Sequence, residues 1–141
     1  MSSAVETKSN VKQAVPFFGI TNMDASLKFY VEGLGFNMKL KWIDEGRLRW
    51  CWLELGEAAI MLQEYRPEFL PKQKVGEGVA ICFICEDAIA LYKEFISRGV
   101  NASLPFVGNA MWVTRCSDPD GYWLEFESAT DVSEGTLLPD T

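Results

Sequence analysis

The feature that most limits how this chain folds is an internal repeat of about 64 residues, faint in residue identity but clear in the order and spacing of its elements. Ala14 to Ile20 and Gly78 to Ile84 are apolar runs of strand length, 64 positions apart, and each leads into an amphipathic helix. In the first helix Leu27, Tyr30, Val31 and Leu34 follow the i, i+3, i+4, i+7 pattern, with Thr21 or Asn22 as the cap and Gly33 and Gly35 near the end. In the second, Ala88, Leu91, Tyr92 and Phe95 repeat that spacing, preceded by Glu86 and Asp87 and stopped by Gly99. Three strands are expected after each helix: Phe36 to Asp44, Arg47 to Leu55 and Ala58 to Tyr65, then Asn101 to Phe106, Ala110 to Ser117 and Tyr122 to Glu127. Turn chemistry separates them at Asp44-Glu45-Gly46, Gly56-Glu57, Gly108-Asn109 and Asp118-Pro119-Asp120-Gly121. Pro at the second and Gly at the fourth position of the last read as a type I turn rather than a cation loop.

Each half is therefore β-α-β-β-β, and the expected class is α+β, two tandem modules whose curved mixed sheets form a concave cup. Module one is expected over residues 13–65, a Pro- and Lys-containing linker over 66–77, and module two over 78–128. Neither half alone buries both a helix face and a four-stranded sheet, so the two are expected to pair. Residues 1–12 and the acidic stretch 129–141 carry no periodicity and are expected to be flexible.

Composition narrows the function. With 48% hydrophobic and 23% charged residues the chain has ordinary globular usage, and its apolar runs are far shorter than the roughly 20 residues that span a bilayer. The polar start lacks a signal-peptide core, which gives a cytoplasmic expectation with no membrane partner. A net charge of −7 argues against nucleic acid, which requires a basic face, and favours cationic ligands. Cys51, Cys82, Cys85 and Cys116 lie in apolar runs and read as core thiols. Cys82 and Cys85 form a CxxC, but no second pair and no His completes a zinc set.

The tandem modules, the segment AVPFFGITNMDASLKFYVEGLGF over residues 14–36 and the segment SDPDGYWLEF over 117–126 resemble the vicinal oxygen chelate family. That family includes glyoxalase I, ring-cleaving dioxygenases, fosfomycin-resistance enzymes and bleomycin-binding proteins. The resemblance covers residues 14 to 128 and implies its fold. In metal-binding relatives, the first and last strand of each module supply one ligand each. Carried over, the first-strand positions fall on Val15 and on Ala80, or Val79 with a shift of one. The last-strand positions fall on Met61 and Glu125, 64 apart. Only Glu125 has a donor, so no metal and no cofactor is expected. The resemblance then points to the bleomycin-resistance branch, which sequesters a drug without chemistry, and to a homodimer.

Strand alternation suggests what lines the cup. Trp123, Glu125 and Glu127 share one face, as do Ala59, Met61 and Gln63, and Trp50, Trp52 and Glu54. The repeat aligns Trp50 and Trp52 with Thr114 and Cys116 and, by extension, brings in Trp112, while Phe17 joins from the first strand. The expected ligand-binding set is thus Phe17, Trp50, Trp52, Met61, Trp112, Trp123 and Glu125, an aromatic pocket tipped by a carboxylate and suited to a small aromatic or cationic molecule. Trp42 is expected to pack. The bland reading of these indoles is that they fill the cup or a dimer interface, and that Arg47, Arg49 or Arg115 pairs with Glu125. Two further functions stay open: an enzyme of the same fold, a lyase or isomerase using Glu125 with Tyr65 or Tyr122, and a structural or regulatory subunit with a filled cup.

Overall fold

The computed structural model describes residues 9–140; the expected flexible N-terminus falls largely outside the described residues. The order is β1 (Phe17–Ile20), α1 (Met23–Leu27), a π-helical continuation (Lys28–Gly33), β2 (Asn37–Asp44), β3 (Arg47–Leu55) and β4 (Ala58–Glu64). It continues with a 3-10 turn (Pro67–Phe69), β5 (Ala80–Ile84), α2 (Ala88–Ser97), β6 (Phe106–Gly108), β7 (Met111–Ser117) and β8 (Trp123–Ala129). Two mixed four-stranded sheets result, ordered β1-β4-β3-β2 and β5-β8-β7-β6. In each, the first strand pairs parallel with the last and the remaining pairs are antiparallel. This is the α+β class expected from the repeat.

The local chemistry follows the anticipated signals. Asn22 caps α1 by accepting from the Ala25 N–H at 3.0 Å, and Asp87 caps α2 by accepting from the Ala90 N–H at 2.9 Å. The apolar stripe of each helix is buried, with Tyr30, Leu34 and Phe95 essentially inaccessible. The helix-facing sides of both sheets share one core, in which Phe36 meets Phe83 edge-on and Phe83 stacks on Phe126. Across the joint between the halves, the Tyr30 hydroxyl donates to Asp118 at 2.8 Å and the Tyr122 hydroxyl to the Gly19 carbonyl at 2.8 Å.

Two expectations are corrected. No strand runs from Asn101 to Phe106; β6 is only Phe106–Gly108, because Pro105 has no N–H to offer a ladder. The acidic tail, expected to carry no structure, runs along β6: the Val107 and Leu138 N–H groups donate to the Thr136 and Pro105 carbonyls, and the Glu134 carboxylate accepts from the Asn109 and Ala110 N–H groups. Both hairpin residues have positive φ, which turns their N–H groups outward toward that carboxylate. Among the described residues no helix is long and apolar enough to cross a membrane.

Candidate functional site

The face of the first sheet turned away from the core is aromatic. Register fixes which residues share it: Phe17 lies abreast of Met61, Met61 abreast of Trp52, Trp50 abreast of Gln63, and Trp42 abreast of Trp50. The intervening Cys51, Leu53, Ile60 and Leu62 are fully buried, so alternation leaves the aromatic set outside. Phe17 is 54% exposed and Trp42 47%. Together with Gln63, Tyr65 and Phe69 they line a cleft of about 340 Å³. Tyr65 reaches across β1 at Gly19; a Cβ on Gly19 would fall 2.3 Å from the tip of the Tyr65 ring, so a side chain there would push the ring aside.

Charge enters the cleft from one end. Arg49 and Arg66 contribute to its wall, as does the buried Glu64. Glu64 accepts from Arg47 Nε at 2.6 Å and from the Met23 N–H at 2.8 Å, with Arg49 Nη1 at 3.6 Å. The Arg47 hydrogen bond, outweighing burial, holds the Glu64 carboxyl below the usual range.

The second sheet presents a different outer face. Cys82 lies abreast of Glu125, and Arg115 lies on the other side of it. Arg115 Nε approaches Glu125 Oε2 at 3.3 Å as an ion pair without hydrogen-bond alignment, and its guanidinium sits 4.0 Å over the Trp123 ring. Cys82, Glu125 and Glu127 bring one ligand atom each within 4.8 Å of one another. The Cys82 Sγ lies 3.6 Å from Glu125 Oε1. A hydrogen bond to Glu127, burial and the charge of both carboxylates push this thiol up to about 12, so without a bound cation it stays protonated and is not a ready nucleophile.

The profile of the Glyoxalase/Bleomycin resistance protein/Dioxygenase superfamily matches residues 15–126. The chain belongs to this superfamily. No curated protein matches it. Among solved structures, UcmS2 superposes with a TM-score of 0.70 at 17% identity, covering 86% of this chain and 100% of that one. TnmS3, an antibiotic binding protein from Streptomyces sp. CB03234, superposes at 0.66 with 20% identity, covering 87% and 100%. A bleomycin-binding protein complexed with bleomycin superposes at 0.64 with 20% identity, covering 84% and 98%. At these identities the likeness establishes the fold.

Seen as a superfamily member, the chain departs from the metal-binding pattern, but at other positions than expected. Strand pairing sets Phe17 and Cys82, not Val15 and Ala80, beside Met61 and Glu125. Phe17 and Met61 offer no donor, so the first half supplies none of the metal set. In the second half Glu125 does not stand alone, since Cys82 and Glu127 lie beside it. Cys82, Glu125 and Glu127 are the second-half residues whose ligand atoms could converge on a cation, with Arg115 beside Glu125.

The expected ligand-binding residues divide into three groups. Phe17, Trp50, Trp52 and Met61 share the outer face of the first sheet, with Trp52 Nε1 donating to Glu54 at 2.8 Å. Trp123 and Glu125 share the outer face of the second. Trp112 is corrected: it lies abreast of Ser128, on the α2 side with Thr114 and Cys116, whose backbone neighbours Val113 and Arg115 face outward. Thr114 donates to the Ala88 carbonyl of α2 at 2.7 Å, which fixes that orientation. The expectation that Trp42 packs is also corrected, since it lines the cleft. Arg49, Arg66 and Phe69 were missed as site residues. Phe69 had one signal, a large apolar residue stranded between Pro67 and Pro71 in an otherwise polar linker.

Proposed function

We propose that this protein binds a small aromatic molecule non-covalently in the cleft on the outer face of its first sheet, sequestering it rather than transforming it. The observation that carries this reading is the exposure of Phe17, Trp42 and Phe69 around one 340 Å³ cleft, where burial by a ring would recover apolar area now left to water. Stacking on such rings contributes about 0.5–1.5 kcal/mol per pair beyond area alone. On the second sheet the pairing of Glu125 with Arg115 and the raised Cys82 thiol support binding over nucleophilic chemistry. Four free cysteines suit a reducing, cytoplasmic setting.

The test is calorimetric titration with 2-naphthamide, a neutral fused-ring probe. Saturable one-to-one binding is expected, weakened at least about ten-fold by Trp42→Ala, a loss of roughly 1.4 kcal/mol. Non-saturating heats, or binding indifferent to Trp42→Ala, would sink the reading.

The same face suits a homodimer. Leu40 is 57% and Trp42 47% exposed on β2, an apolar patch that a second copy would partly cover while roofing the cleft. Light scattering is expected to give twice 15.9 kDa; a monomer mass at micromolar concentration would remove the dimer.

A further inference from the structure

Resting on the aromatic-binding reading, we propose that the ligand of this cleft is an aromatic acid, its ring on Phe17 and Trp42 and its carboxylate at Arg49 and Arg66. The chain as a whole is acidic, and its composition favours cationic ligands, yet the cleft has the opposite local sign. Two guanidinium groups reach its wall against one carboxylate. That carboxylate, Glu64, is only 5% exposed, and its oxygens are already occupied by Arg47 Nε at 2.6 Å and the Met23 N–H at 2.8 Å. A ligand cation arriving in the cleft would therefore find no free acceptor of full charge among these lining residues.

The arginines are less well satisfied. Arg49 keeps a side chain only 15% exposed, and its Nε is buried without an acceptor among the described residues. Its contact with Glu64 is loose, at 3.6 Å. Arg66 pairs with Asp44 at 3.2 Å in an exposed geometry that water and salt weaken. An unmet guanidinium donor beside an apolar wall is the arrangement that a carboxylate satisfies, by charge-assisted hydrogen bonds that a neutral amide matches only in part. Arg49 also lines an adjoining cleft of about 250 Å³ with Thr21, Arg47, Tyr65 and the arginine-engaged Glu64, which leaves room for the acid group beyond the ring. The net charge of the protein acts over a screened distance of about 8–10 Å in physiological salt, whereas this contact is direct.

The experiment compares three probes with one ring system: 2-naphthoate, 2-naphthamide and 2-naphthylmethylammonium, each titrated calorimetrically into wild type, Arg49→Gln and Arg66→Gln. The acid is expected to bind about ten-fold more tightly than the amide, and the ammonium most weakly. Arg49→Gln is expected to bring the acid down to the amide while leaving the amide within about two-fold, and Arg66→Gln to reduce the preference about three-fold. If Arg49→Gln fails to fold, the wild-type series and Arg66→Gln, at an exposed position, decide the matter. Equal affinity for all three probes, or a preference for the ammonium, overturns the acid proposal and leaves the aromatic site standing. Absence of binding by all three overturns both.

Discussion

Replacing Asp118 by alanine is expected to lower the unfolding free energy by about 3–4 kcal/mol, which for a chain of this size corresponds to a fall in melting temperature of about 10 °C. The cost comes from what is left behind. Tyr30 is fully buried and its hydroxyl has Asp118 as its acceptor at 2.8 Å. Asp118 also accepts from the Asp120 N–H at 3.0 Å and the Tyr122 N–H at 2.8 Å, closing the turn between β7 and β8. Alanine removes all three acceptor contacts and leaves a buried hydroxyl unsatisfied, at about 1–3 kcal/mol for that group alone. Because Tyr30 belongs to the first half and the turn to the second, the loss falls on their joint. Urea unfolding measures it as a shift in midpoint at constant slope. Tyr30→Phe in the Asp118→Ala background is expected to restore about 1–2 kcal/mol, since it removes the orphaned donor. Additive losses in that cycle would show that the Tyr30–Asp118 bond is not the source of the effect.

Glu64→Gln is expected to destabilise the protein by about 2–3 kcal/mol near neutral pH, because it removes the charge that binds Arg47 and Arg49 and that sits at the first N–H of α1. The pH dependence follows from the direction of the shift. The folded-state carboxyl titrates below its unfolded value of about 4.3, so its stabilisation is fully present above that pH and is lost as pH falls through the lower folded value. The gap between wild type and variant should be widest at pH 5–7 and close below about pH 4. A gap that stays constant from pH 7 to pH 3 would assign the effect to packing instead of charge. Arg47 makes the short bond to Glu64 but is itself well exposed, so Arg47→Ala should cost less than Glu64→Gln.

The repeat was legible because it is written in coarse signals: apolar spacing in the helices, caps at Asn22 and Asp87, and glycine-rich turns. The site was less legible because a period of 64 is not kept to the residue. Met61 and Glu125 are 64 apart, as alignment requires. The residues beside them on the first strands, Phe17 and Cys82, are 65 apart, and those on the third strands, Trp52 and Arg115, are 63 apart. A slip of one residue turns every side chain of a strand to the opposite face. That slip put Trp112 on the helix side and brought Arg115 out beside Glu125, whereas on the first strands the site lies two residues further along in both halves, Phe17 for Val15 and Cys82 for Ala80.

The amino-acid sequence alone determined the class, the element order, the helix caps and the alternation that keeps Cys51, Leu53, Leu62, Leu124 and Phe126 inside. Those properties are local, set by spacing along a strand or helix and by the few residue types that tolerate a turn. The tertiary structure decided which residues come together: Arg49 with Glu64, Phe69 of the linker and Phe17 of the first strand around one cleft, and Arg115 with Glu125 and Trp123. Such meetings depend on strand register and on the path of the linker, and one residue of slip reverses a face without disturbing the pattern that foretold the strand.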